Sequence, residues 1–298
     1  MTAKLIRLPW YLFRARRAVG RARKAGLPGL SYDAFGRSIG RRLFVRGVRG
    51  SVRLMLQPVD FLRYFEFDYV DRFARKARGP VLDVASPALF SLYQAARNPA
   101  IELQMVNPDR CDLEWTELAA RRLRLKLETE NAGVESIASI KQRFGAIWSI
   151  SVLEHIAGDL NDSDAVRILY DALEPGGALI LTVMTDRRYR NEYLNNDIYN
   201  LGQAREERGI FFQRFYDEEA LHRRLIGAVP EAELADLSWY GEVKPGIYDA
   251  YIERARRSFD YRWAVNEPLE AACGYARFDD FSHMPGIGVS AFRLIKPG

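Results

Sequence analysis

The sequence predicts an α/β protein built on a doubly wound, mostly parallel sheet. Three observations carry that prediction. Short apolar runs of strand length recur at 81–84, 101–106, 147–152 and 178–183. Segments of helical character separate them. The stretch from Trp148 to Val183 then reads as a buried strand, a polar strand end, a helix, a Gly-Gly turn and a second buried strand. Alternation of this kind favours parallel strands joined by right-handed crossovers.

Taken in order, residues 1–57 form a basic, amphipathic extension, with helical pieces at 10–24 and 31–46 broken by Gly26, Pro28 and Gly29. A helix over 58–78 follows, with Leu62, Phe65, Tyr69 and Phe73 at helical spacing and Gly79-Pro80 as its end. Strand 81–84 leads into a helix through Arg97, then strand 101–106 and a helix over 115–125. Strand 147–152, helix 161–173 and strand 178–183 complete the alternation. Pro175 enters the turn before the last of these, and Gly176 and Gly177 supply positive φ there. Beyond Met184 the pattern stops. Residues 186–214 are polar and read as an insertion or lid, and 216–226 as a helix with an acidic first turn. A strand at 234–240 precedes an aromatic-rich second insertion, 246–281. There Tyr248, Tyr251, Phe259, Tyr261 and Trp263 either line a substrate pocket or form a satellite core. Residues 287–295 are a final strand. The main domain is thus 58–298.

Composition narrows the class. The chain has 298 residues, 48% of them hydrophobic, enough to fill a core and to exclude global disorder. Two cysteines, Cys111 and Cys273, make no disulfide framework, and a reduced, cytoplasmic setting is expected. His155, His222 and His283 lie far apart and make no zinc pattern, so no metal is expected. No apolar run approaches the roughly 20 residues of a membrane span.

Charge is distributed unevenly. Residues 1–57 hold 14 Lys and Arg against one acid, Asp33. That segment carries +13, so with +5 for the whole chain the remaining 241 residues carry −8. Arginines interrupt its apolar residues, which excludes a secretory signal, and the serine enrichment of a transit peptide is missing. Three readings stay open: contact with an anionic membrane surface, contact with nucleic acid phosphates, or an arm packed on the acidic main domain. No nucleic-acid motif accompanies the charge, which places that reading last.

Three segments together resemble the class I S-adenosylmethionine-dependent methyltransferases, in particular their type 11-like small-molecule group. They are Val81-Leu82-Asp83-Val84, the run from Ile147 to Ile156 containing Leu153-Glu154-His155, and the run from Leu173-Glu174-Pro175-Gly176-Gly177 to Val183. The helix at Tyr216–Leu221 is similar as well, and the likeness covers roughly residues 79–240. The resemblance implies a Rossmann-like methyltransferase fold with S-adenosyl-L-methionine as cofactor. Asp83, the loop Ala85, Ser86 and Pro87, and Asn107, Asn131 and Ser151 would hold the donor. Glu154 and His155 would face the acceptor as catalytic residues, at a strand end where open α/β sheets bind ligands. The acceptor is a small molecule or is lipid- or glycan-linked. The chain departs from the family at three places. Ala85, Pro87 and Leu89 fill the positions of its spaced glycines, Asn107 replaces the ribose-binding acid, and no acid stands near the adenine, where Glu130 or Asn131 come nearest. The alternative is a methyltransferase-like binding or scaffold protein without donor binding.

Overall fold

The computed structural model describes residues 8–197, 205–257 and 268–298. Phe259, Tyr261 and Trp263 of the expected aromatic group lie outside them, as does the centre of the first insertion. Four helices come first: α1 (Leu8–Lys24), α2 (Leu30–Val45), α3 (Ser51–Leu56) and α4 (Arg63–Ala74). The alternating part follows as β1 (Val81–Val84), α5 (Ala88–Arg97), β2 (Leu103–Val106), α6 (Arg110–Leu123), β3 (Glu128–Glu130), β4 (Phe144–Ile150), α7 (Asp162–Asp171) and β5 (Leu173–Thr185). The remainder is β6 (Arg190–Leu194), β7 (Arg205–Glu206), β8 (Gly209–Phe215), α8 (Glu218–Arg224), β9 (Glu233–Glu242), α9 (Ile247–Arg257), β10 (Tyr275–Phe278) and β11 (Gly288–Ile295).

The main sheet has eight strands in the order β10-β9-β11-β5-β4-β1-β2-β3. Strands β1 to β5 pair in parallel, and β11 inserts antiparallel between β5 and β9. The strand order reverses between β1 and β4, which opens a crevice above their carboxyl ends. Every residue of β1 is buried, as expected of a strand covered on both faces. By contrast β3 is Glu-Thr-Glu with both glutamates exposed, so no apolar run announces it. It exists because β2 offers its edge.

Three expectations change in detail. Helix α4 starts at Arg63 rather than just after Pro58, because Asp60 forms a turn: its carboxylate accepts from the Phe61 amide and its carbonyl from the Arg63 amide. The expected Gly-Gly turn lies within β5, and of its two glycines only Gly176 takes positive φ, 77°. Gly177 is needed for closeness instead, since a Cβ there would lie 2.8 Å from the Glu174 carbonyl oxygen and 3.0 Å from that of Phe144. The described parts of 186–214 are an antiparallel sheet, β6-β8-β7, with β8 largely buried.

The basic N-terminal helices share the core of the sheet. Ala18, Ala22, Tyr32, Ile39 and Leu43 belong to one apolar cluster with Phe65, Phe90 and Trp148. Helix α4 is therefore covered on two sides: Phe67 meets Tyr32 at 4.9 Å and Phe65 meets Tyr240 at 5.4 Å. Each such buried aromatic contributes roughly 1.5–3 kcal/mol. Arginine also has a structural use here. Arg37 pairs with buried Asp33 and donates to the Met55 and Leu56 carbonyls at the end of α3, fixing α2 against α3. Tyr248 and Tyr251 are buried against Phe61, so these two belong to the core. Among the described residues no helix is long and apolar enough to cross a membrane.

Candidate functional site

The crevice above β1, β2 and β4 holds a cleft of about 260 Å³. Ala85 and Pro87 line it from the end of β1, and Asn107, Asp109 and Asp112 from the end of β2 and the start of α6. Ile150, Ser151, Val152 and His155 line it from the end of β4, and Arg63 closes it from α4. A second hollow of about 420 Å³ shares Arg63, Pro87 and Asp112 and runs outward between α3 and Trp115.

The loop after β1 owes its shape to Asp83. This carboxylate is fully buried and accepts from the Ser86 amide at 2.9 Å, the Ser91 hydroxyl at 2.5 Å and the Trp148 indole at 2.7 Å. Burial pushes its pKa above the usual carboxylate value, while those three donors oppose the shift. Ser86 is equally committed, its hydroxyl oxygen accepting from the Ile150 amide at 3.2 Å. Asp83 and Ser86 thus stand behind the cleft wall and set the course of Ala85 and Pro87. Ala85 has φ 50° and Ser151 φ 49°, so two cleft residues other than glycine occupy the left-handed region. Such backbone costs about 1–2 kcal/mol in an L-residue and collects at functional sites. Ala85 keeps the conformation a glycine would take. Ala85→Gly is expected to leave stability within about 1 kcal/mol of wild type, on the more stable side, as relief of strain outweighs added chain entropy. Urea unfolding checks this; a larger loss would show that the methyl group is needed.

At the end of β2, Asn107 accepts from the Asp109 amide at 2.9 Å and donates to Asp112 Oδ2 at 3.1 Å. Asp109 caps α6 through the Cys111 and Asp112 amides. Burial pushes the Asp112 pKa up to about 6, helped by the negative Asp109 and opposed by the Asn107 hydrogen bond. Asp112 is a cleft residue that the sequence reading passes over, because an acid in a first helical turn is explained by the helix dipole alone. Asn131 lies at the surface and donates to the Asn107 and Pro108 carbonyls at 2.8 and 3.2 Å, bracing this wall from outside.

At the end of β4, Glu154 and His155 face different surroundings. The His155 Nδ1 lies 2.6 Å from the Phe212 carbonyl, which only accepts, so Nδ1 carries the proton and Nε2 is the basic nitrogen. Burial pushes its pKa down to about 4, with Arg63 and Arg214 adding to the effect against the Phe212 hydrogen bond. The ring is neutral at physiological pH. Glu154 is fully buried behind it. Its Oε1 accepts from the Met184 amide at 3.3 Å, and its Oε2 has no hydrogen-bond partner among the described residues. Burial pushes its pKa up to about 8, with Glu66 adding to the shift and Arg63 opposing it. Arg214 on β8 donates to the Glu154 and Ile156 carbonyls, so the first insertion fastens this strand end. Glu66 on α4 is also fully buried. It accepts from the Ser151 and Thr182 hydroxyls at 2.5 and 2.6 Å and pairs with Arg63.

No protein-family model matches the chain, and no curated protein sequence does. Among solved structures it is similar to coclaurine N-methyltransferase bound to N-methylheliamine and SAH. The TM-score is 0.53 at 14% identity, covering 97% of this chain and 94% of that one. The chain has the class I methyltransferase fold. The [4+2]-cyclase SpnF is 19% identical with a TM-score of 0.47 over 76% of this chain and 80% of that one. An S-adenosylmethionine-dependent methyltransferase from Clostridium acetobutylicum is 13% identical, with a TM-score of 0.45 over 80% and 93%. On this methyltransferase fold, Ala85, Pro87, Asn107, Ser151 and His155 meet at one cleft, whereas Asp83, Ser86 and Glu154 support its walls and Asn131 its outer rim.

Proposed function

We propose that the chain is an S-adenosylmethionine-dependent methyltransferase acting on a small, lipid-linked or glycan-linked acceptor. One observation carries this reading. Three strand ends of a methyltransferase fold bring a left-handed loop, an Asn-Asp pair and a neutral imidazole to a single cleft. The residues present fit the donor. The backbone at Ala85 and Pro87 would flank its methionine part, and Asn107 with Asp112 would meet its ribose hydroxyls. Here Asp112 supplies the negative charge that the family places at the position of Asn107. The cofactor supplies an electrophilic methyl group on a sulfonium centre. His155 would offer a neutral imidazole, its Nδ1–H fixed by Phe212, to accept a hydrogen bond from an acceptor hydroxyl or amine. Arg63 closes the cleft and orients what enters from the outer hollow. Holding the two reactants in line supplies much of the rate.

A second reading is a methyltransferase-like binding module. What favours it is that Asp83 and Ser86 are fully engaged within the chain and Pro87 offers no amide. Calorimetric titration with S-adenosylmethionine and S-adenosylhomocysteine separates the two. Saturable binding is expected, weakened about tenfold in Asp112→Asn, as for loss of one charge-assisted hydrogen bond. Wild-type affinity should also fall as the pH drops through about 6, where Asp112 takes up its proton. Absence of binding at millimolar donor would sink the enzyme reading.

A further inference from the structure

Helix α1 has two unlike faces. Tyr11, Ala15, Ala18 and Ala22 are buried against the rest of the chain. The other face presents Trp10, 50% exposed, and Phe13, 57% exposed, beside Arg14, Arg17 and Arg21, with Glu270 paired to Arg21 at its edge. The Arg14 guanidinium lies 4.7 Å from the Trp10 ring centre, and that of Arg17 lies 5.8 Å from Phe13. Large exposed apolar side chains are few among the described residues: Trp10, Phe13, Phe44, Val45, Leu234 and Val243. Four of these six fall within the segment that carries +13, and Trp10 and Phe13 lie side by side on one helix face. The arm reading therefore accounts for one face of α1 and leaves the other unexplained.

We propose that this outer face of α1 docks on an anionic lipid bilayer. A tryptophan and a phenylalanine flanked by arginines match the layered polarity of a bilayer surface. The rings enter at the headgroup level, and the guanidinium groups stay with the phosphates. Aromatic rings could also stack on unpaired bases, but no nucleic-acid motif accompanies this face, which favours lipid. The buried alanine face keeps the helix fixed to the domain, so its outer face is already ordered before docking. Helix α3 lies between the inner face of α1 and the outer hollow. Val52 and Leu56 pack with Tyr11 and Ala15, while Arg53 and Leu54 line the outer hollow.

Co-sedimentation of the full chain with phosphatidylcholine vesicles, with and without phosphatidylglycerol, tests the proposal. The protein should sediment with the anionic vesicles only. The double variant Trp10→Ala/Phe13→Ala, changed at exposed sites and checked by circular dichroism, should bind about tenfold more weakly or worse. Arg14→Glu/Arg17→Glu should lose a similar factor. Brominated lipid should quench tryptophan fluorescence in the wild type and leave Trp10→Phe unquenched. Failure of anionic vesicles to recover the wild type overturns the proposal. So does binding that the aromatic double variant retains and a single-stranded oligonucleotide displaces, which would assign the face to nucleic acid.

Discussion

Replacing Glu66 with alanine is expected to lower folding stability by about 3 kcal/mol, the lower range for removing one partner of a buried ion pair. Glu66 is fully buried, and Arg63, with which it pairs, is 25% exposed. Without the carboxylate, the guanidinium stays in that setting with its pairing charge gone. The hydroxyls of Ser151 and Thr182 lose the acceptor they share. In a domain of this size the loss corresponds to roughly 6–12 °C in Tm. Glu66→Gln keeps the shape and an acceptor oxygen but not the charge, so its loss should fall between alanine and wild type. Thermal unfolding followed by circular dichroism gives the order directly. An alanine variant that melts with the wild type would mean that Arg63 and the hydroxyls find water as readily as Glu66. The cleft should also respond. Ser151 sits in left-handed backbone at its wall, and the bond to Glu66 is the side-chain contact that ties it to α4.

The contrast between Glu66 and Asp83 shows what could be read in the sequence. The strand-helix alternation is a local signal and locates β1, β2, β4 and β5, while isolated apolar runs locate β9 and β11. The alternation also places Ala85, Asn107, Ser151 and His155 at strand ends, where the fold gathers them into one cleft. Glu66 is 85 residues from Ser151 and 116 from Thr182, so no spacing links them. Within its helix it reads as one more surface acid, until its side of α4 is known to lie on the end of β4 and on β5. Arg63 is hidden for the same reason. The strand β3 is missed because it is short and exposed, and β6 to β8 because charged and polar residues interrupt their apolar positions. Asp83 shows the opposite limit. Its position was legible, but its three donors, one of them an indole 65 residues away, assign it to the loop rather than to the cleft.

Glu154→Gln is expected to raise stability at neutral pH and to change nothing in acid. In the folded chain the Glu154 pKa is about 8, against an ordinary value of 4.5. The folded state thus binds a proton that the unfolded state releases, and stability falls as pH rises wherever that difference holds. The favourable contribution is complete below pH 4.5 and is lost progressively up to about pH 8. Near pH 7 the protonation that folding demands costs about 3 kcal/mol, at 1.36 kcal/mol for each pH unit above the ordinary value. Glutamine is neutral throughout and has the same shape. Its carbonyl can accept from the Met184 amide as Oε1 does, and its amide replaces an Oε2 that already lacks a partner among the described residues. Urea midpoints of the two proteins should coincide near pH 4.5 and separate as pH rises, with the variant the more stable. Parallel curves would mean that Glu154 is ionised in the folded state and that Arg63 outweighs its burial. The outcome bears on the chemistry as well. A Glu154 that stays protonated at neutral pH brings no negative charge to this strand end, and under the proposed function the neutral imidazole of His155 would be the group on the cleft wall that meets the acceptor.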